Sequence, residues 1–272
     1  MDNIKRFLAF SGNVQVTVLE TTALVNRAIE IHSTTPSASE ILGGLLTCCA
    51  YFASGIKGMK GAVSITVKAK DGDGAVSVSS DALLHVRGYA DGSCTKTLNG
   101  GTLTVVREDG YSQPFVGTCE ITSDDISDAF AKYFQQSEQI PTAVKVQVVI
   151  SEDGKCRSAG GLIIQLLPDA DDAETDAAGE AFYNYCNDKL AWLYATDEVI
   201  AKFFGNCVSG EITEVNPVYK CNCSEQRIKG VLASVGKAEL IKICEEQGQV
   251  KVHCHYCNTD YVFDRQSIEE NF

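Results

Sequence analysis

The sequence predicts an α+β protein in three parts. They are a mixed α/β N-terminal domain over residues 1–168, a helical, metastable linker over 169–216, and a small C-terminal module over 217–272 built from two helices plus a β-hairpin. Three observations carry this. In the first part, runs with the period of half-buried strands accompany one strongly amphipathic helix. The middle part is densely acidic. The last part holds two tight pairs of thiols, Cys221-Asn222-Cys223 and Cys254-His255-Tyr256-Cys257, 30 residues apart.

In the first part, Val63, Ile65 and Val67 alternate with polar residues, as do Val144, Val146 and Val148. Leu103 and Val105 mark a further strand, and Gly72-Asp73-Gly74 and Asp91-Gly92 are turn signals. The apolar region from Ile41 to Ile56 is broken by Gly, Thr and Ser and is too short to span a bilayer. Its adjacent Cys48 and Cys49 read as buried core thiols. The clearest helix is Asp124–Gln136, where Ile126, Ala129, Phe130, Tyr133 and Phe134 share one face. Ser123 is the expected N-cap, Asp124 and Asp125 suit the positive end of the dipole, and Pro141 bars continuation.

The linker carries most of the charge. Between Asp169 and Ile200 nine acids face one base, Lys189, a local net charge of −8 out of −13 for the chain. Phe182, Tyr185, Cys186, Leu190 and Leu193 give only a weak apolar face. Self-repulsion works against compaction, so this reads as marginal helix that needs docking.

In the last part, Ile228, Val231, Leu232 and Val235 form a helical face ending at Gly236, and Leu240, Ile241 and Cys244 form a second ending at Gly248. Val250 and Val252 alternate up to Cys254, and Tyr261 and Phe263 alternate after Cys257. The second thiol pair therefore sits at a hairpin turn, and the first lies just before a helix. Two such pairs have the spacing of a closed four-cysteine zinc site, with Cys221, Cys223, Cys254 and Cys257 as ligands of one ion. So small a module has little core without its metal. Thiolates are also what oxidants attack, and the spacing permits Cys221–Cys223 and Cys254–Cys257 disulfides without long-range movement. A permanently structural zinc ribbon is the plainer reading of the cysteine pattern alone.

Composition narrows the function. At 272 residues and 44% apolar content the chain has ample core for more than one domain. A net charge of −13 argues against general nucleic-acid binding. The start MDNIKRFLAFSGNV lacks a signal-peptide apolar run, so a cytoplasmic location is expected, where twelve cysteines are mostly reduced. Val149 and Val231 stand where a phosphate-binding loop needs glycine before the Gly-Lys pairs at 154–155 and 236–237, and Gly72-Asp73-Gly74 lacks the third glycine of a dinucleotide fingerprint. No nucleotide or membrane partner is expected. His32 and His85 stand alone, and no Ser/His/Asp or Cys/His arrangement marks an enzyme. Cys94, Cys119, Cys156, Cys186 and Cys207 are scattered, Cys244 reads as core, and His253 and His255 read as neighbours of the thiols rather than ligands.

The run CNCSEQRIKGVLASVGKAELIKICEEQGQVKVHCHYC, followed by YVF, resembles the redox-switch module of the heat-shock protein 33 family. FAKYFQQSEQIPTAV at 130–144, AGGLIIQLLP at 159–168, the opening RFLAF and Gly88-Tyr89 are similar to other parts of that family, in the right order over nearly the whole chain. The resemblance implies an ATP-independent holdase chaperone, inactive while reduced and zinc-bound. It implies that oxidation releases zinc and joins neighbouring thiols, Cys221 to Cys223 and Cys254 to Cys257. The module then unfolds, the linker loosens, apolar surface holds unfolding client proteins, and the active form is a homodimer. Two features depart from the family: no Asn-Pro follows Gly88-Tyr89, and eight further cysteines are present. The alternative reading is a constitutive zinc-ribbon module that binds nucleic acid or a protein partner.

Overall fold

The computed structural model describes residues 1–70, 74–91 and 97–272. Gly72, Asp73, Gly92 and Cys94, singled out above, lie outside the described residues. The chain divides into two compact units, Met1–Tyr219 and Lys220–Phe272.

The first unit opens with β1 (Asn3–Ala9), β2 (Val14–Glu20), α1 (Thr22–His32) and α2 (Pro36–Ala53). Four antiparallel strands follow, β3 (Ala62–Lys68), β4 (Ala75–Asp81), β5 (His85–Ala90) and β6 (Thr102–Glu108), then β7 (Phe115–Glu120) and α3 (Ile126–Tyr133). A π-helical turn, Phe134–Glu138, leads into β8 (Thr142–Ile150) and β9 (Cys156–Leu166). The unit closes with α4 (Asp172–Asn187), a 3-10 turn at Ala191–Leu193, α5 (Thr196–Phe204), β10 (Val208–Val215) and β11 (Val218–Tyr219).

Two sheets result, in the orders β10-β1-β2-β9-β8 and β11-β5-β4-β3-β6-β7. The apolar stretch from Ile41 becomes α2, whose residues Leu42, Leu45, Leu46, Cys48 and Cys49 are all buried between the sheets. Thr35 caps it, accepting from the Ala38 amide at 3.4 Å, and Pro36 opens its first turn. The alternation read at Val63, Ile65 and Val67 holds, with all three buried on one face of β3. Val144, Val146, Leu103 and Val105 are also buried.

The helix expected over Asp124–Gln136 starts two residues later and is capped by a different residue. The Asp125 carboxylate accepts from the Ser127 amide at 2.8 Å, while Ser123 turns its hydroxyl to Asp128. Phe134 is buried as expected, but the helix widens into its π turn there.

The acidic segment is docked. Ala178, Ala181, Tyr185, Val199, Ile200 and Phe204 pack onto β1, β2 and β9 residues on the sheet face away from α2. Asp171 and Glu174 form a reciprocal capping box, and Glu174 also accepts from the Asn13 side chain at 3.0 Å. Lys5 on β1 is buried and pairs with Asp197 at 2.5 Å and Glu214 at 3.5 Å. The expectation of helix through residue 216 is corrected at its end. Val208–Val215 is a strand, because it completes hydrogen bonds along β1 from Ala9↔Val208 to Ile4↔Val215. Its alternation of small, polar and β-branched residues suits that role better than a helical face.

The second unit holds α6 (Glu225–Ala233), α7 (Lys237–Gln247), β12 (Val250–Cys254), β13 (Thr259–Phe263) and a helix absent from the sequence reading, α8 (Arg265–Asn271). Asp264 caps α8 and Ile268 anchors it, fully buried. The core is Leu232, Leu240, Cys244, Val250, Phe263 and Ile268. Val231 and Val235, expected on the apolar face, are 61% and 48% exposed. The helix ends at Ala233, short of Gly236, whose φ of +93° opens α7 instead. Among the described residues no helix is long and apolar enough to cross a membrane.

Candidate metal centre

Cys221 and Cys223 lie on the extended chain before α6, where Ser224 accepts from the Arg227 amide at 3.2 Å and fixes the helix start. Cys254 ends β12 and Cys257 sits in the turn to β13. That turn closes through the Asn258 amide, which donates to the Cys254 carbonyl at 2.9 Å with Asn258 at φ +55°, a left-handed position that Asn tolerates. Local chain chemistry thus aims both thiols of each pair the same way.

The four sulfurs lie within 4.8 Å of one another. Contacts run between the pairs, Cys223 to Cys257 at 3.2 Å and Cys221 to Cys254 at 3.7 Å. Four sulfurs held about 2.3 Å from a tetrahedral ion stand about 3.8 Å apart, so the cluster has the size of a metal site. Its donor set is soft and all-thiolate, which suits zinc among the common divalent ions.

The environment separates the thiols. Burial raises Cys223, but hydrogen bonds from the Tyr261 hydroxyl, at 3.1 Å, and from the neighbouring thiols outweigh it and hold Cys223 down at about 7. Burial drives Cys221 well above the usual thiol range, and its bonds to Cys223 and Cys254 add to this. Burial also raises Cys257, against the lowering effect of Thr259, whose Oγ1 lies 3.3 Å away.

Tyr261 and Thr259 escaped the sequence reading as partners of the sulfurs. Tyr261 stood out only as part of a strand alternation, and nothing in that pattern shows where its hydroxyl points. His253 bonds Asp260 at 2.7 Å and stacks edge-on with His255, consistent with the reading that neither is a ligand. Among the other described cysteines, Cys48, Cys49, Cys119, Cys156 and Cys244 are buried, Cys207 is half-buried and Cys186 is exposed. Burial pushes Cys48, Cys49 and Cys156 up, Cys156 to about 12, which leaves them inert thiols.

Fold and site together define a class: an α+β protein with a large unit of two sheets around a buried helix and a small unit organised round four thiols. Comparison with known proteins is consistent along the whole chain. The sequence profile described as "Hsp33 protein" matches residues 2–264. The 33 kDa chaperonin of Bacillus pumilus (strain SAFR-032) is 32% identical, covering 99% of this chain and 98% of the relative. That of Clostridium perfringens (strain SM101 / Type A) is also 32% identical, covering 98% and 90%. The crystal structure of the Thermotoga maritima 33 kDa chaperonin, a heat shock protein 33 homolog, superposes with a TM-score of 0.87 at 25% identity, over 99% of this chain and 97% of that one. The chain belongs to the Hsp33 family, and by that membership to the chaperones.

Proposed function

We propose that this protein is a redox-regulated, ATP-independent holdase of the cytoplasm, switched by oxidation of Cys221, Cys223, Cys254 and Cys257. The observation that carries the reading is the four-sulfur cluster within 4.8 Å in a unit whose fully buried apolar core is six residues. Zinc, when bound by these thiolates, supplies the cross-link between the chain before α6 and the β12–β13 hairpin.

The residues do the rest. In the reduced protein all four side chains serve as thiolates, with Tyr261 donating to Cys223. Two equivalents of a peroxide, each reduced by two electrons to water or alcohol, convert two thiol pairs to disulfides, Cys221 with Cys223 and Cys254 with Cys257, removing four ligands. Without that cross-link the six-residue core is too small to hold the module. The proposed division then acts as core (1–168), linker (169–216) and switch (217–272). Tyr185, Phe203 and Phe204 of the linker, packed away in the reduced form, become surface for unfolding clients. The oxidised form is a homodimer, and neither nucleotide nor nucleic acid takes part.

The test is a light-scattering assay of a thermally unfolding client protein, run beside metal analysis of the same samples. The reduced chain carries one zinc and leaves aggregation unchanged. The oxidised chain carries none and suppresses aggregation at near-stoichiometric ratio. Equal suppression by both forms, or a zinc content near zero in the reduced form, overturns the reading.

A further inference from the structure

We propose that the first unit carries a binding site for a small organic carboxylate with a flat apolar body, in the cleft between its two sheets. The cleft is a cavity of about 400 Å³ beside the C-terminal end of α2, walled by Arg6 and Gln165 of the five-stranded sheet and Arg107 and Phe115 of the other. That volume lies in the range of small-molecule sites.

Its position is one argument. Three segments that resemble the family outside the cysteine module meet here: RFLAF supplies Arg6, FAKYFQQSEQIPTAV supplies Phe134 and Glu138, and AGGLIIQLLP supplies Gln165. None of these residues serves the thiol centre. The π turn at Phe134–Glu138 forms part of the wall and ends on Gln139 at φ +55°. Such turns gather at functional sites.

The floor is polar where a core is normally apolar. Tyr51 and Gln165 are 6% and 8% exposed. The Tyr51 hydroxyl donates to Gln165 Oε1 at 2.7 Å, and Gln15 Nε2 donates to the same oxygen at 3.1 Å. Burial holds the Tyr51 phenol up at about 12, so it stays a neutral donor. A buried network of this kind costs desolvation and fixes a rigid surface in return.

The cations of the lining keep spare donors. Arg6 lies over the Tyr51 ring at 5.5 Å and commits Nε to Thr17 at 3.3 Å and Nη2 to Ser54 at 2.9 Å, leaving Nη1 without a hydrogen-bond partner among the described residues. Arg107 commits Nη2 to Glu138 at 2.7 Å and lies over the Phe115 ring at 4.9 Å, so it forms the wall rather than the free donor. Lys57 at the rim makes no ion pair among the described residues. The acids lining the cavity do not cancel this. Glu138 is taken by Arg107 and by the Tyr133 hydroxyl, Asp109 accepts from the Tyr111 and Ser112 amides within its own turn, and Glu108 is exposed at the rim. A guanidinium with a free edge selects a carboxylate. Phe52 and Phe134, stacked 5.4 Å apart at 15°, give the flat apolar wall for its body.

The probe is 3-phenylpropionate, titrated into the full-length reduced protein and followed by 1H–15N NMR. Saturable binding to one site is expected at a Kd of about 5 mM or tighter, the range for a ligand of this size. Amide shifts should centre on Gly55, Ile56 and Phe134. The neutral 3-phenylpropionamide should bind at least about tenfold more weakly, as should the probe to Arg6→Lys, which keeps the charge and loses the fork. Lys57→Met, at an exposed position, should cost about threefold and covers the case in which Arg6→Lys fails to fold. Absence of saturation, equal binding of acid and amide, or shifts centred on Val231 and Val235 would overturn the proposal.

Discussion

Tyr261 shows how much one hydroxyl decides at the thiol centre. Its bond to Cys223 helps hold that thiol near 7 while burial and its thiol neighbours lift Cys221, so the thiol most ready to ionise is Cys223. On oxidation the question is which sulfur Cys223 joins. Sequence proximity favours Cys221, although in the reduced cluster Cys257 stands 3.2 Å away. Peptide mapping of the oxidised protein under non-reducing conditions should give Cys221–Cys223 and Cys254–Cys257 as the dominant bridges. Dominant Cys223–Cys257 and Cys221–Cys254 bridges would mean that reduced-state geometry rather than chain proximity sets the pairing. The four thiols were legible in the sequence because their spacing is local. The hydroxyls of Tyr261 and Thr259 were not, since hydrogen bonding to sulfur leaves no periodic trace.

At the scale of elements, the acidic segment depends on what lies beneath it. Its sequence carries a −8 charge and a weak apolar face, and the structure places Tyr185, Val199 and Phe204 on the face of the five-stranded sheet. Lys5 is the tie between the two, reaching Asp197 of α5 and Glu214 of β10 from a buried position on β1. Lys5→Met keeps the packing stem and removes the charge, and Asp197 is solvated enough to stand alone. In the reduced variant, hydrogen exchange across Thr196–Val215 should rise about tenfold while α2 stays as protected as in the wild type. Unchanged exchange there would show that apolar packing alone holds the segment. Strands with one buried face, such as β3, were plain from alternation, and α2 from its apolar run. β10 was not, because an exposed edge-paired strand has no buried face to stamp a period on its residues. Asp125 takes the place of Ser123 as the cap of α3 for a similar reason: two polar residues, two positions apart, satisfy the same rule, and tertiary packing chooses.

For the whole molecule, the two units carry unequal reserves. The first has an extended core around α2, and the second has six fully buried apolar residues. Loss of the thiol cross-link should therefore be felt in a graded way. Hydrogen exchange read along the full chain after oxidation should show near-complete loss of protection over 220–272, partial loss over 172–219 and retention in β2, β3 and α2. Sedimentation of the same sample should show a homodimer. Uniform protection before and after oxidation would confine the switch to the sulfurs and leave the clients another surface to bind.

Residues 208–219 thread two sheets in succession: β10 runs antiparallel along β1, and β11 lies parallel to β5, where the Tyr219 hydroxyl donates to the Gly88 carbonyl at 2.8 Å. Release of this one stretch vacates the flanks of both sheets together. In the proposed switch β1 then has an unpaired edge and β5 loses its partner at His85 and Val86, which offers an extended client a backbone to pair with. Backbone pairing reads no side chains. In that proposed state the freed edges would select a client by its extended shape, beside the apolar surface that Tyr185, Phe203 and Phe204 supply.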